Sequence, residues 1–142
     1  MKNIAFFEKK NIEGTPSGFE TLRKLLDDNY FCFRVGEADV IPDLIVVVGG
    51  DGTILRTASY AVHTGAPILA INAGTVGFLS SYESGDVEKC VEDIKNDDLT
   101  ISERSVLSVK AGKNEYIALN DAVVERDRSI DGKTIVTKLD VS

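Results

Sequence analysis

A run of five apolar residues leads directly into a glycine-rich segment, and a helical pattern follows. The run is Leu44–Val48 and the segment is Gly49-Gly50-Asp51-Gly52-Thr53. An unbroken β-branched run predicts a strand buried on both faces of a parallel sheet, and open α/β sheets bind ligands beyond the carboxyl ends of such strands. Glycine lets the backbone approach a ligand, and free N–H groups at a helix N-terminus suit phosphate. The segment therefore indicates a phosphate-binding turn that holds one carboxylate, that of Asp51.

Strand-like and helical patterns alternate up to about residue 98. The predicted strands are Asn3–Phe7, Tyr30–Val35, Leu44–Val48 and Ile68–Ile71; one predicted helix opens at Thr15-Pro16, one runs from about Ile54 to His63, and one follows Asp86 as N-cap. Such alternation is typical of a Rossmann-like α/β fold, a parallel sheet with helices on both faces. We expect residues 1–98 to form one α/β domain of this kind.

Beyond residue 98, apolar and polar residues alternate instead. Glu103–Lys110 and Glu115–Val124 flank the turn Ala111–Asn114, which predicts an antiparallel hairpin. A turn at Asp131-Gly132 precedes another predicted strand, Thr134–Val141. No helical pattern intervenes, so we expect residues 99–142 to be the first antiparallel strands of an incomplete, truncated β-rich second domain.

The charge balance excludes several kinds of partner. The chain of 142 residues has a formal net charge of −7 and a pI of about 4.7, which repels nucleic acid and anionic lipid. No apolar run is long enough to cross a bilayer, and the amino-terminal apolar stretch is too short for a secretory signal. We expect no nucleic-acid partner, no membrane partner and a cytoplasmic location.

The cysteines and the single histidine do not form a recognisable reactive site. Cys32 and Cys90 are far apart in sequence and lack a nearby cysteine or histidine, which predicts reduced core residues. His63 ends a predicted helix, where capping of the helix C-terminus is favoured over catalysis. No set of histidine, cysteine and carboxylate residues has ligand spacing, so we predict no metal site built from side chains.

Asp51 has two interpretations from the residues alone. Asp-Gly pairs are common in turns, so Asp51 fits a turn residue or a helix N-cap. Its position after a buried strand and two glycines instead favours a carboxylate that accepts a proton from a substrate hydroxyl during phosphoryl transfer. The G-x-x-x-x-G-K-[ST] phosphate loop and the G-x-G-x-x-G fingerprint are both absent.

Three segments, in this order, resemble the signature motifs of NAD kinases. They are Gly49–Thr53; the loop Asn72-Ala73-Gly74-Thr75-Val76-Gly77-Phe78-Leu79, similar to the N-x-G-x-x-G-F-L pattern of the family; and Leu119-Asn120-Asp121, similar to its L-N-[DE] pattern. Phosphofructokinases and lipid kinases carry relatives of the first motif, whereas the three motifs in this order are specific.

The resemblance implies phosphoryl transfer from ATP or polyphosphate to the 2′-hydroxyl of the adenosine ribose of NAD, giving NADP, with a divalent metal ion (Mg²⁺) accompanying ATP. It implies that Asp51 is the general base. The implied substrate- and nucleotide-binding residues are Gly49, Gly50, Gly52, Thr53, Arg56, Asn72, Gly74, Gly77, Phe78, Asn120, Asp121 and Lys133. Of these, Phe78 is expected near the adenine, Arg56 near a phosphate, and Asn120 with Asp121 at the adenosine. The resemblance also implies that residues 1–98 are a nucleotide-binding domain, that residues 99–142 begin a substrate domain, and that the full-length protein is a homo-oligomer.

Other interpretations stay open for several of these residues and for the chain. Hydrophobicity alone favours a core position for Phe78, and Asn120 with Asp121 alone fits a strand bulge or edge. Arg56 and Lys133 fit solvated surface charges. Because NAD kinases continue into a glycine-serine-threonine loop with no counterpart here, a non-catalytic nucleotide-binding fragment is one alternative. A lipid or sugar kinase with a related glycine-aspartate turn is another.

Overall fold

The apolar run Leu44–Val48 forms the central strand of a five-stranded parallel sheet. The computed structural model describes residues 2–8, 18–73 and 77–123. Its elements are β1 (Lys2–Glu8), α1 (Gly18–Leu25), β2 (Tyr30–Arg34), β3 (Leu44–Val48), α2 (Asp51–Thr64), β4 (Ile68–Asn72), β5 (Tyr82–Glu83), α3 (Val87–Asn96), β6 (Leu107–Ala111) and β7 (Asn114–Ala118).

The strand order places a ligand-binding crevice next to the glycine-rich segment. The sheet runs β2-β1-β3-β4-β5 with every pairing parallel, so the order reverses between β1 and β3. In doubly wound sheets, ligands bind outside the carboxyl ends of the strands at such a reversal. Because β3 borders this point and α2 follows it after only Gly49 and Gly50, the sheet topology directs the segment towards the crevice.

Side chains that alternate along β3 enter two separate hydrophobic cores. Leu44 and Val46 join the core beneath α1 and α3, whereas Ile45 and Val47 join the core beneath α2. All four are buried, as expected for a strand covered on both faces. The prediction of a parallel sheet with helices on both faces is therefore confirmed.

The helix after β3 begins three residues earlier than the apolar pattern predicted, at Asp51 instead of Ile54. Gly50 is the N-cap, and its carbonyl accepts the amides of Thr53 and Ile54 at 2.8 and 3.3 Å. The first turn carries few apolar residues, so the apolar pattern of the sequence does not reveal it, although its backbone hydrogen bonds are helical. His63 lies in the last turn of this helix, as predicted, and the C-cap residue is Gly65, in a left-handed conformation with its N–H donating to the carbonyl of Ala61.

The antiparallel hairpin is confirmed but is shorter than predicted. Its strands are β6 and β7, joined through the pair Ala111 and Asn114, with Gly112 at a φ of 62° in the turn. The predicted strands wrongly included residues 103–106 and 119–123. These residues alternate between apolar and polar but pair with no other strand among the described residues. Strand β5 was not predicted. The predicted helix start at Thr15-Pro16, the turn Asp131-Gly132 and the strand Thr134–Val141 lie outside the described residues.

Both cysteines are free, and they differ in burial. Cys90 is fully buried on α3, and this burial raises the pKa of its thiol to about 12. Cys32 is partly buried on β2 against the same core, and burial raises the pKa of its thiol as well. Within the described ranges, no helix combines the length and the apolar character that a bilayer crossing requires.

Candidate functional site

Asp51 lies at the start of α2, directly after the short connection from β3. It is the first residue of the helix, directly after the N-cap, and its side chain is partly exposed. The carboxylate is therefore neither enclosed in the hydrophobic interior nor free in bulk water. A negative charge in the first helical turn is stabilised by the helix dipole.

The Asp51 carboxylate joins the two glycine-bearing loops. Its Oδ2 atom accepts the backbone N–H of Phe78 at 3.1 Å, and its Oδ1 atom accepts the N–H of Leu79 at 3.2 Å. These two donors belong to the loop after β4, 27 and 28 residues further along the chain. Because a carboxylate has about four lone-pair sites, each oxygen keeps capacity for a further hydrogen bond or a proton.

The other residues of the first motif shape the turn around Asp51. Gly49 is buried, and its N–H donates to the carbonyl of Ile71 at 3.0 Å, which continues the pairing between β3 and β4. Gly50 and Gly52 are exposed, and a Cβ at either position would meet nothing within 4 Å. Thr53 is buried against Gly49. The exposed glycines leave space for an anionic group at the N-terminal end of α2.

Gly49→Ala is expected to destabilise the fold by about 1–3 kcal/mol, because a side chain here overpacks a buried turn. A Cβ at position 49 would lie 2.5 Å from Thr53 Oγ1, and the β-branched Thr53 has few alternative rotamers. Gly50→Ser is the matched control, because position 50 is open and serine is a favourable N-cap. Urea-unfolding midpoints measure both, and a wild-type midpoint for Gly49→Ala would contradict the expectation.

The second motif has a buried end and an exposed end. Asn72, at the end of β4, is 1% exposed, and its Nδ2 donates to Glu83 Oε2 on β5 at 2.9 Å. Phe78 is 94% exposed, so the core position that hydrophobicity alone favoured was wrong. Gly77 lies directly against Asp51. Gly74 lies outside the described residues.

The remaining predicted residues are not joined to Asp51. Arg56 is exposed on the second turn of α2. Asn120 and Asp121 are exposed in the segment after β7, a strand that lies beside α2. In the described part of the chain, none of these three side chains hydrogen-bonds to the Asp51 turn or to residues 77–79. Lys133 lies outside that part.

Two partners in this region were not predicted from the sequence. The Leu79 amide donates to one oxygen of Asp51. Because the donor is a backbone group, the type of side chain at position 79 does not predict this contact. Glu83 holds Asn72 from a two-residue strand that is too short for a periodic pattern. Both contacts link residues that local sequence patterns cannot relate.

Among the described residues, neither the cavity given by the structure nor a cluster of carboxylates coincides with the Asp51 turn. A cavity of about 1090 Å³ is lined by Leu44 and Ile68 near the amino ends of their strands and by residues 97–104, but not by Asp51 or Phe78. Among the described residues, no group of three or more histidine, cysteine, aspartate and glutamate side chains is placed to hold a metal ion. The loop-to-loop contact of Asp51 is the feature that singles out this place.

Comparisons with known proteins agree on one family. A family model described as the ATP-NAD kinase N-terminal domain matches residues 18–99. The NAD kinase of Thermotoga neapolitana is 41% identical over 142 aligned residues, covering 97% of this chain and 52% of that protein. The NAD kinase of Thermotoga maritima is 34% identical with the same coverage of both chains. The chain thus spans about half the length of the curated relatives it matches.

A solved structure with the same fold is that of yeast NADH kinase complexed with NADH. It superposes with a TM-score of 0.53 at 21% identity and covers 83% of this chain and 46% of that chain. At this identity the similarity is one of fold.

Proposed function

Since the chain belongs to the NAD kinase family, we propose that the whole protein transfers a phosphoryl group from ATP or polyphosphate to the 2′-hydroxyl of the adenosine ribose of NAD. The product is NADP, and Asp51 is the general base. The observation that carries the proposal is the Asp51 carboxylate, held by two amides of the second motif at the amino end of α2.

The proposed chemistry needs a fixed carboxylate with a free lone pair. As the ribose oxygen forms its bond to the γ-phosphorus of ATP, the bond to the leaving ADP breaks and the hydroxyl proton passes to Asp51. Enzymes that transfer phosphoryl groups act mainly by positioning and electrostatics. Two backbone donors on Asp51 provide positioning, and its partial exposure leaves a route for the hydroxyl.

The binding roles are proposed from position and chemistry. The open space around Gly52 at the N-terminal end of α2, with Arg56 one turn further along the helix, suits a phosphate. The exposed ring of Phe78 suits stacking on the adenine, a contact worth about 1–3 kcal/mol per base. We propose that Asn120 and Asp121 contact the adenosine. Gly49, Gly50, Thr53, Asn72, Gly74 and Gly77 would shape the two loops, and Lys133 is proposed as a basic substrate contact.

The described residues do not fit a dedicated Mg²⁺ site. Both Asp51 oxygens accept backbone amides, and no carboxylate cluster accompanies them in the described ranges. Mg²⁺ commonly reaches such sites through nucleotide phosphates and water. We propose that any ion arrives bound to ATP. The domain boundary near residue 98 and homo-oligomerisation of the whole protein are likewise proposals.

The test offers ATP with NAD, diacylglycerol or fructose phosphate side by side to the whole protein. NADP formation alone is expected. Phosphorylation of the lipid or sugar without NADP would replace the proposal with the alternative kinase class. Nucleotide binding by the 142 residues, with no NADP from them or from the whole protein, would favour a non-catalytic module.

A further inference from the structure

The Asp51 carboxylate fills the space in which a side chain at position 77 would have to lie. A Cβ atom built on Gly77 lies 2.7 Å from Asp51 Oδ1, 3.3 Å from Ser80 Oγ and 3.6 Å from Asp51 Cγ. Real Cβ atoms essentially never approach another heavy atom within 3.0 Å. The loop and the carboxylate can therefore adopt this arrangement only with glycine at position 77.

This steric requirement differs from that at the other crowded glycines. Gly18 and Gly49 would also bring a Cβ within 3.0 Å of a neighbour, but the nearest atoms there belong to Val48 and Thr53. At Gly77 the nearest atom is an oxygen of the carboxylate assigned as general base. A side chain at position 77 would thus displace the Asp51 carboxylate, whereas side chains at positions 18 and 49 would displace residues that form the fold.

We propose that Gly77 is a positioning residue for Asp51. Because it has no side chain, the loop comes close enough for the amides of Phe78 and Leu79 to hold one carboxylate oxygen each, at 3.1 and 3.2 Å. Two donors on two different oxygens fix the plane of the carboxylate as well as its place. The inference rests on the proposed function in one respect, that this carboxylate receives the substrate proton.

A methyl group at position 77 has a specific consequence. The atom it would strike is the end of a side chain that can rotate, so the strain is relieved by turning Asp51 without moving the sheet. Rotation breaks the contacts with Phe78 and Leu79 and turns the free lone pairs away from the substrate hydroxyl. A displacement of about 1 Å in a reacting group can cost roughly 10²-fold in rate.

The kinetic test is a double-mutant cycle in the whole protein. Gly77→Ala is expected to lower kcat for NAD phosphorylation about 10²-fold, with a smaller change in KM. In the Asp51→Asn background, the same change is expected to lower kcat no further, because Gly77 acts through the missing carboxylate. Gly85→Ala is the matched control: a Cβ there meets nothing within 4 Å, so kcat is expected to stay at the wild-type value.

A second readout does not require activity. The backbone amide NMR signals of Phe78 and Leu79 are expected to shift in Gly77→Ala and in Asp51→Asn, but not in Gly85→Ala. If the wild-type protein forms no NADP, the proposed function fails, and these signals alone decide the positioning role. They also decide it through Asp51→Asn if Gly77→Ala does not fold.

Two outcomes would overturn the inference. One is wild-type kcat in Gly77→Ala, or an equal loss of kcat in both backgrounds. The other is an Asp51→Asn variant in which the Phe78 and Leu79 signals do not move.

Discussion

Asp51→Asn in the whole protein is expected to lower kcat for NADP formation by about 10²–10⁴-fold, the usual contribution of a positioned general base. The substitution keeps the volume of the side chain and removes its capacity to take a proton. Steady-state kinetics with NAD and ATP measure the effect. Wild-type turnover in this variant would exclude the general-base role.

The hydrogen bonds of Asp51 add a second, smaller effect. An asparagine has one acceptor oxygen, whereas the carboxylate accepts amides on both of its oxygens, from Phe78 and from Leu79. One of these amides would then face an NH₂ group and lose a bond worth about 0.5–1.5 kcal/mol. NAD affinity is therefore expected to fall by up to about tenfold, because the same loop carries the exposed ring of Phe78.

Asp86→Asn is the matched control for this experiment. Asp86 also accepts a backbone amide, that of Glu83 at 3.3 Å, and it stands at the N-cap of α3, one position before the place that Asp51 has in α2. It lies outside the proposed site, so its replacement by asparagine is expected to leave kcat unchanged. A loss in both variants would indicate a general effect of removing loop carboxylates.

The sheet was predictable because a strand buried on both faces requires apolar residues at every position. The run Leu44–Val48 has no polar position, and the structure buries Leu44–Val47 on both faces of the sheet. The glycines after it marked the turn correctly. The helix start was misplaced because Asp51–Thr53 carry few apolar side chains, and helical backbone bonds do not require them.

The internal geometry of the site was beyond sequence patterns. The bonds from Phe78 and Leu79 to Asp51 join positions 27 and 28 residues apart, and both donors are backbone groups. Phe78 was ambiguous because its apolar ring suits a core and a ligand surface equally well, and only the fold exposes it. Asn120 and Asp121 were found by resemblance, and their contact with a nucleotide stays a prediction.

Phe6→Ala is expected to destabilise this chain by about 3–5 kcal/mol, a large share of the roughly 5–15 kcal/mol that stabilises a typical domain. Phe6 is 2% exposed on β1, which pairs with β2 on one side and β3 on the other. Its ring meets that of Phe19 edge-on, with centroids 5.0 Å apart, and the Arg34 guanidinium lies 4.1 Å from the centroid of Phe19. Truncation therefore opens a cavity and loosens α1 at once.

The loss bears on the site because α1 begins beside the crevice. The amide of Gly18 donates to Glu8 Oε1 at 2.7 Å at the end of β1, and Gly18 packs against Val48 at the end of β3. Phe31→Ala is the matched control, because Phe31 lies on β2, is 40% exposed and contacts only the ring of Phe33 among the aromatic pairs of the described residues, and its removal is expected to cost about 1–2 kcal/mol. Urea unfolding measures the loss of unfolding free energy in both variants, and an unchanged m-value shows that the change is one of stability. Equal midpoints for the two variants would show that the Phe6–Phe19 contact does not anchor α1 to the sheet.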